Sequence, residues 1–416
     1  MKLRSKIRIF RSAAISILAA LVLVSVITPL QPVGKFISGA GNLMLVTQAS
    51  GGNYDKYDVI TNIAPGADVR DVARRHNLPI VRNLGDNVYL FRLQTSDSRT
   101  VEQVVVELKA DRSVAWAEPH YFAKLPELDG TDQRSSPYID QRSSGYIDGV
   151  SPSDYFVQYA VSLIKADLAR PIANNGLGVT VAIVDTGVDT NHPVFHNVAP
   201  GYDYLGDGPN PAEEGSGPAY GHGTMVAGIV ALVAPEATIM PLRAFDSNGS
   251  AKIVDITASI NYAVDHDAQV LNLSFGLLTD SQLLSKTISN ALSRGVVVIA
   301  SAGNNNSSSP QYPAAYPGVL AVGASDQYDA KASFSNYGAF VGVAAPGVNI
   351  YSAYPNNQWA WWDGTSFSAP FVSGEAALRL SHGGGDVVQV IKNTAVPCCG
   401  GLLGRGRIDA LAAVRQ

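Results

Sequence analysis

Three short segments of the 416-residue chain each carry one side chain of a kind that nucleophilic catalysis uses. Val-Asp-Thr-Gly-Val-Asp at 184–189 supplies Asp185, Gly-His-Gly-Thr at 221–224 supplies His222, and Gly-Thr-Ser-Phe-Ser-Ala-Pro at 364–370 supplies Ser366. Acyl transfer by serine needs such a set: a hydroxyl that attacks the carbonyl, an imidazole that takes its proton, and a carboxylate that orients the imidazole. Singly, each residue has an ordinary reading as well. Asp185 could be a turn or helix-capping acid and Ser366 a plain N-cap, a role for which Ser368 competes. A lone His222 would be a satisfied core or surface residue. The shared order Asp, His, Ser separates this set from a lipase or esterase, which would show Gly-x-Ser-x-Gly and the order Ser, Asp, His.

The reaction also needs a donor for the tetrahedral oxyanion, worth about 3–4 kcal/mol when it is one side-chain amide. Ser-Ala-Gly-Asn at 301–304 offers Asn304, with the backbone amide of Ser366 as second donor; Asn305 and Asn306 follow directly, which leaves a shifted register open. All four segments resemble the motifs of the subtilase (subtilisin-like serine protease) family. Met225 stands where other members often carry His. The resemblance implies a serine endopeptidase with Asp185, His222 and Ser366 as catalytic residues, Asn304 in the oxyanion hole, and polypeptides as substrates. It extends to Leu-Ser-Phe-Gly at 273–276, implying Ser274, Phe275 and Gly276 along the pocket for the residue before the cut. Leu277 occupies the place where a second glycine often follows. Asn-Gly-Ser-Ala at 248–251 resembles the edge that pairs with an extended peptide, implying substrate contacts at Gly249 and Ser250. A non-catalytic subtilase-like peptide-binding protein is the alternative reading.

The elements that must position these residues read as an α/β domain over 153–416. Thr180–Val184, Ala237–Leu242, Gln269–Leu273, Val296–Ala300 and Val319–Val322 are continuous apolar runs of strand length, as expected where both faces of a parallel sheet are covered. Ile253–His266 and Leu283–Arg294 show helical spacing between them. The alternation predicts an open parallel sheet with helices on both faces, with ligands beyond the C-terminal strand ends. Asp185, Ser274 and Asn304 all lie where a strand has just ended. Pro370 is expected in the first turn of the helix that follows Ser366. Gly-Arg-Gly-Arg-Ile-Asp-Ala-Leu-Ala-Ala at 404–413 resembles the last helix of the subtilase catalytic domain, and no accessory domain is expected after it.

Residues 53–125 predict a small α+β ferredoxin-like domain, with Tyr57–Ile63, Pro79–Leu84, Val88–Leu93 and Val114–Glu118 as strands and Ala67–His76 and Thr100–Ala110 as helices. Its position resembles the inhibitory prodomain of secreted subtilases, which acts as intramolecular inhibitor and chaperone and whose tail lies in the substrate cleft and is cut by the enzyme itself. The cut is expected between Tyr121 and Asp154. Residues 126–152 contain a tandem octapeptide, Asp-Gln-Arg-Ser-Ser-Pro-Tyr-Ile and Asp-Gln-Arg-Ser-Ser-Gly-Tyr-Ile, too polar to order itself, and read as a flexible linker.

Residues 1–40 read as a signal peptide or membrane anchor: Lys2, Arg4, Lys6, Arg8 and Arg11 precede an apolar run from Ser12 to Leu30. Ser38-Gly39-Ala40 and Thr47-Gln48-Ala49 are the candidate cleavage sites. The expectation is a secreted or periplasmic protein, membrane-anchored if that segment stays uncleaved. From residue 150 onward 12 Lys and Arg face 20 Asp and Glu, so the main domain is acidic and nucleic acid is not an expected partner. A monomer is expected. Cys398 and Cys399 exclude a disulfide framework; as neighbours they can form a vicinal bridge, but they read rather as two thiols. No cofactor is expected for the chemistry and no metal site is assigned. Structural calcium, common in subtilases, is left open, with Asp203, Asp207, Asn210, Glu213 and Glu214 as loop oxygens that read rather as a solvated acidic turn.

Overall fold

The computed structural model of the protein describes residues 53–128, 146–149 and 152–416. The N-terminal stretch read as a signal or anchor, and residues 132–145 of the tandem repeat, lie outside the described residues. Among the described residues no helix is long and apolar enough to cross a membrane.

The first unit runs β1 (Tyr54–Ile63), α1 (Val69–His76), β2 (Ile80–Gly85), β3 (Val88–Arg92), α2 (Val101–Ala110) and β4 (Val114–Lys124). Its strands pair antiparallel in the order β4-β1-β3-β2. Local chemistry sets the helix ends. Asp68 accepts from the Arg70 amide, and Asn77 closes α1 in the left-handed region. Thr100 and Gln103 form a reciprocal capping box at α2. Val59, Phe91, Val104 and Leu108 fill the small core. β4 continues six residues past the strand expected to end at Glu118, because its last residues find partners in the next unit.

That unit opens with β5 (Tyr146–Gly149), α3 (Pro152–Val157), α4 (Tyr159–Leu163) and α5 (Ala166–Ala169). There follow β6 (Thr180–Asp185), β7 (Asn197–Val198), β8 (Tyr202–Asp203), α6 (His222–Val233), β9 (Thr238–Arg243), β10 (Ser250–Lys252), α7 (Ile253–Asp265), β11 (Val270–Leu273), α8 (Gln282–Ser293) and β12 (Val297–Ser301). The chain finishes with β13 (Leu320–Ser325), β14 (Val343–Pro346), β15 (Ile350–Tyr354), β16 (Gln358–Trp362), α9 (Thr365–His382), α10 (Val387–Thr394) and α11 (Ala410–Arg415). A parallel sheet runs β14-β13-β12-β11-β6-β9-β7, with β8 also on β9. The pleat divides it into two cores. Val181 and Ile183 of β6 pack with α6 and α9, while Ala182 and Val184 pack with α7 and α8. Helices therefore cover both faces, which is why the strands read as unbroken apolar runs.

Within 126–152, the stretch read as a linker, Pro126–Leu128 form a short 3-10 turn against the main unit and β5 pairs antiparallel with β16. Composition alone does not reveal these contacts, since backbone hydrogen bonds and a docking cleft supply what the segment lacks in apolar surface. Cys398 and Cys399, read as thiols, are joined by a disulfide. Cys399 packs on Ala302, Val341, Ala344 and Leu403.

Candidate active site

The C-terminal ends of β6, β11 and β12 and the N-termini of α6 and α9 converge on one point. Asp185 is the last residue of β6 and His222 the first of α6. His222 Nδ1 lies 2.7 Å from Asp185 Oδ1, which also accepts from the Thr186 amide at 2.8 Å. The approach of strand end to helix start needs Gly223, where a Cβ would stand 2.1 Å from the Gly187 carbonyl oxygen and 3.0 Å from Asp185 Cβ. The imidazole is buried against the rings of Trp362 and Phe367, with centroids 5.5 and 5.2 Å away.

Ser366 is the second residue of α9, and Gly364 stands at the N-cap. Pro370 lies one turn deeper than the sequence suggests. Having no N–H, it leaves the Ser366 carbonyl without its helical donor. Ser274 Oγ fills that gap, donating to Ser366 O at 2.9 Å, while Ser366 Oγ reaches Ser274 O at 3.2 Å. Asn272 Nδ2 in turn donates to Ser274 Oγ, and Ser373 Oγ donates to Asn272 Oδ1. Asn304 presents its amide to the same point. Thr365 donates to Asn304 Oδ1 through both its amide (3.0 Å) and its hydroxyl (2.8 Å), which turns Nδ2 toward Ser366. Asn305 is held through its backbone by Asn336 and Asn306 Oδ1 accepts from Lys331 Nζ, whereas the Asn304 side chain is bonded to Thr365 and Glu127.

One residue at the centre was not among those singled out from the sequence. Glu127 from the 3-10 turn sits among Ser366, His222 and Asn304. Its Oε2 accepts from Ser366 Oγ at 2.9 Å and lies 3.3 Å from His222 Nε2, an ion-pair contact. Its Oε1 accepts from Asn304 Nδ2 at 2.9 Å. Gly364 makes room: a Cβ there would stand 2.1 Å from Glu127 Oε1. The only hint in the chain is an acid inside the otherwise apolar Leu125-Pro126-Glu127-Leu128, just past the first unit. Burial alone would lower the His222 pKa, but the Asp185 charge and hydrogen bond, joined by Glu127, push it up to about 10. The two acidic side chains on either side of the ring thus favour its protonated form.

The residues expected to hold substrate hold the chain itself. Phe122–Lys124 pair antiparallel with β10, Ser250 opposite Lys124. Lys124 and Gly276 exchange two backbone hydrogen bonds at 3.2 and 3.0 Å, and the Leu125 amide donates to Gly249 O at 3.0 Å. Phe275 lies buried below, its ring 5.2 Å from Phe245. Leu277 is buried too, in a two-way backbone pairing with Tyr312. Farther back, Glu118 of β4 caps α8, accepting from Ser281 Oγ and from the Gln282 and Leu283 amides. Burial raises its pKa against those hydrogen bonds.

The acidic loop does not suit calcium. Arg243 donates to Asp203 Oδ2 and Glu214 Oε2, both at 2.8 Å, Tyr202 donates to Asp207, and Glu213 is turned inward toward the triad. A guanidinium already neutralises the carboxylates a cation would use. Among the described residues no group of three or more His, Cys, Asp or Glu is arranged to hold a metal ion.

Sequence and fold comparisons place the chain among known proteins. The profile of the Subtilase family matches residues 176–401, and the chain belongs to that family. It is a serine endopeptidase of the subtilisin-like kind. Thermitase from Thermoactinomyces vulgaris is 39% identical over 283 residues, spanning 64% of this chain and 99% of the relative. A thermophilic serine proteinase from Bacillus sp. (strain AK1) is also 39% identical, over 64% of this chain and 69% of its own. In structure the chain resembles fervidolysin from Fervidobacterium pennivorans, a keratinolytic enzyme related to subtilisin, with a TM-score of 0.69 and 27% identity. That match covers 89% of this chain and 62% of the fervidolysin chain.

Proposed function

We propose that this endopeptidase is exported and made as a self-inhibited, self-processing zymogen that works through an acyl-enzyme. Ser366 Oγ attacks the peptide carbonyl while His222 takes its proton and later gives it to the leaving amine; Asp185 holds the imidazole. Asn304 Nδ2 and the Ser366 amide, free at the start of α9, stabilise the oxyanion. Residues 53–125 act as the inhibitory domain, and the enzyme is a monomer acting on polypeptides that present an extended strand to β10 and Gly276.

The observation that carries the zymogen reading is the Glu127 carboxylate. It occupies the place where negative charge would develop in acyl transfer, on the Asn304 amide and beside a protonated His222. It also stands between nucleophile and base, so the serine proton has no route to a free imidazole. Export rests on the basic-then-apolar residues 1–30.

The test is intact mass with N-terminal sequencing of wild type and Ser366→Ala, both expressed with export. Wild type should lose everything up to a point between Tyr121 and Asp154 while the variant keeps it. Equal full length in both would overturn self-processing and raise the non-catalytic alternative.

A further inference from the structure

Glu213 was read as part of a solvated acidic turn, yet its carboxylate points under the catalytic pair. Oε1 accepts from Thr186 Oγ1 (3.1 Å), the Thr224 amide (3.0 Å) and Thr224 Oγ1 (3.1 Å), and Oε2 accepts from the Gly221 amide (3.1 Å). These donors flank the triad: Thr186 follows Asp185, while Gly221 and Thr224 bracket His222. Both hydroxyls pass the constraint onward. With their protons on Glu213, Thr186 Oγ1 is free to accept from the Gly223 amide (2.9 Å) and Thr224 Oγ1 from the Asp189 amide (2.9 Å). The Gly221 N-cap of α6 has no side-chain cap of its own, so a carboxylate from eight residues upstream satisfies first-turn amides in its stead.

We propose that Glu213 is a positioning residue of the protease: its ionised carboxylate clamps the loop after Asp185 to the first turn of the His222 helix and so fixes the distance between acid and base. Only the ionised form can accept all four donors, since a proton on either oxygen would face a backbone amide or a threonine hydroxyl. Burial, opposed by the Thr224 amide and reinforced by the Asp185 charge, pushes its pKa up to about 7. The charged or titratable groups that interact with it are Asp185 and the phenols of Tyr220 and Tyr354; His222 and Asp189 lie one link further, through Gly221, Gly223 and Thr224, and Glu214 beside it in the loop is paired with Arg243. Each phenol is itself pushed up, mainly by burial with the Glu213 charge adding, so neither titrates near neutrality. Two groups, His222 and Glu213, must then lose a proton before turnover is fast.

The test is steady-state hydrolysis of a peptide anilide from about pH 5 to 9 by wild type, Glu213→Gln and Glu213→Asp. Each is produced from the full chain and counted by fluorophosphonate titration, so that only folded, reactive enzyme is compared. Glu213→Gln should lower kcat about 10–100-fold with KM within about twofold. Its acid limb of log kcat should have a slope near one, where wild type approaches two. Glu213→Asp, which keeps the charge, should recover most of kcat and the steeper limb. A kcat within about threefold of wild type in Glu213→Gln, or the same acid-limb slope in both, would overturn the proposal. Should Glu213→Gln yield no titratable enzyme, a Glu213→Asp profile with slope one and lowered kcat overturns it equally.

Discussion

Removing the Glu127 carboxylate from the intact chain should expose the nucleophile. In Glu127→Ala two charge-assisted hydrogen bonds are lost, from Ser366 Oγ and Asn304 Nδ2, together with the ion-pair contact to His222. A hydrogen bond to a charged group contributes about 1.5–3 kcal/mol. Desolvation of the carboxylate offsets part of two such bonds, which leaves a net of about 3–4 kcal/mol for the seat as a whole. At 1.36 kcal/mol per decade the accessible fraction of Ser366 should rise by roughly two to three orders of magnitude. The assay is the rate at which a fluorophosphonate labels the full-length band, read at times before that band is consumed. Glu127→Gln should fall between, because the amide oxygen can still accept one bond while the attraction to the imidazolium is gone. Labelling of Glu127→Ala within about threefold of wild type would refute the reasoning and assign the block to the strand Phe122–Leu125 alone.

Because Glu127 helps to raise the His222 pKa, seating it takes up a proton. The latch is therefore complete below the pKa of His222 in the unlatched enzyme and is lost as pH rises through about 10, so labelling of the intact chain should accelerate toward alkaline pH. Asn304→Ala should lower kcat of the processed enzyme about 10²–10³-fold with little change in KM, checked on a peptide anilide. Glu375 is buried in α9 with neither carboxylate oxygen hydrogen-bonded, and its pKa is raised well above 4.5, mainly by burial. Its neutral form is fully stabilising below 4.5, and that stability drains as pH rises toward the folded pKa, so Glu375→Gln should gain on wild type by up to about 1.4 kcal/mol per pH unit above 4.5 in urea unfolding between pH 5 and 8. Glu118→Ala leaves the Gln282 and Leu283 amides of α8 without their acceptor and should loosen the first unit from the second, seen as faster fluorophosphonate labelling of the full-length chain.

The central sheet was legible because strands such as Val181–Val184 and Val297–Ala300 are covered on both faces and so advertise themselves as continuous apolar runs. The β15–β16 hairpin was not, since Gln-Trp-Ala-Trp-Trp lacks a clean polar alternation: it pairs with β15 across a tight turn at Asn356 and Asn357, and with β5, far away in sequence, on its other edge. The short motifs around Asp185, His222, Ser366 and Asn304 converge in space because each sits at the end of a regular element. Glu127 escaped notice and Glu213 was read as a solvated turn acid for one shared reason: each comes from an irregular segment, and only the folded chain shows which donors an acid in a loop will meet. Thr365 was missed differently, as part of the nucleophile motif whose hydroxyl and amide orient Asn304. The disulfide between Cys398 and Cys399 depends on a local turn that spacing alone does not dictate.

The cleft strand and β5 belong to one covalent chain that is anchored on both sides of residues 129–145. While that connection is whole, the Glu127 carboxylate meets its seat at an effective concentration on the order of millimolar, whatever the concentration of protein. Once any bond between Leu128 and Tyr146 is cut, the same contact becomes bimolecular and β5 stays behind on β16. Dilution then does what no conformational change is needed to do. On the proposed self-processing reading, a concentrated pool of cut molecules should remain closed and a dispersed one open, with the first free enzymes cutting their neighbours. Activity should therefore appear with a lag that shortens as active enzyme is added.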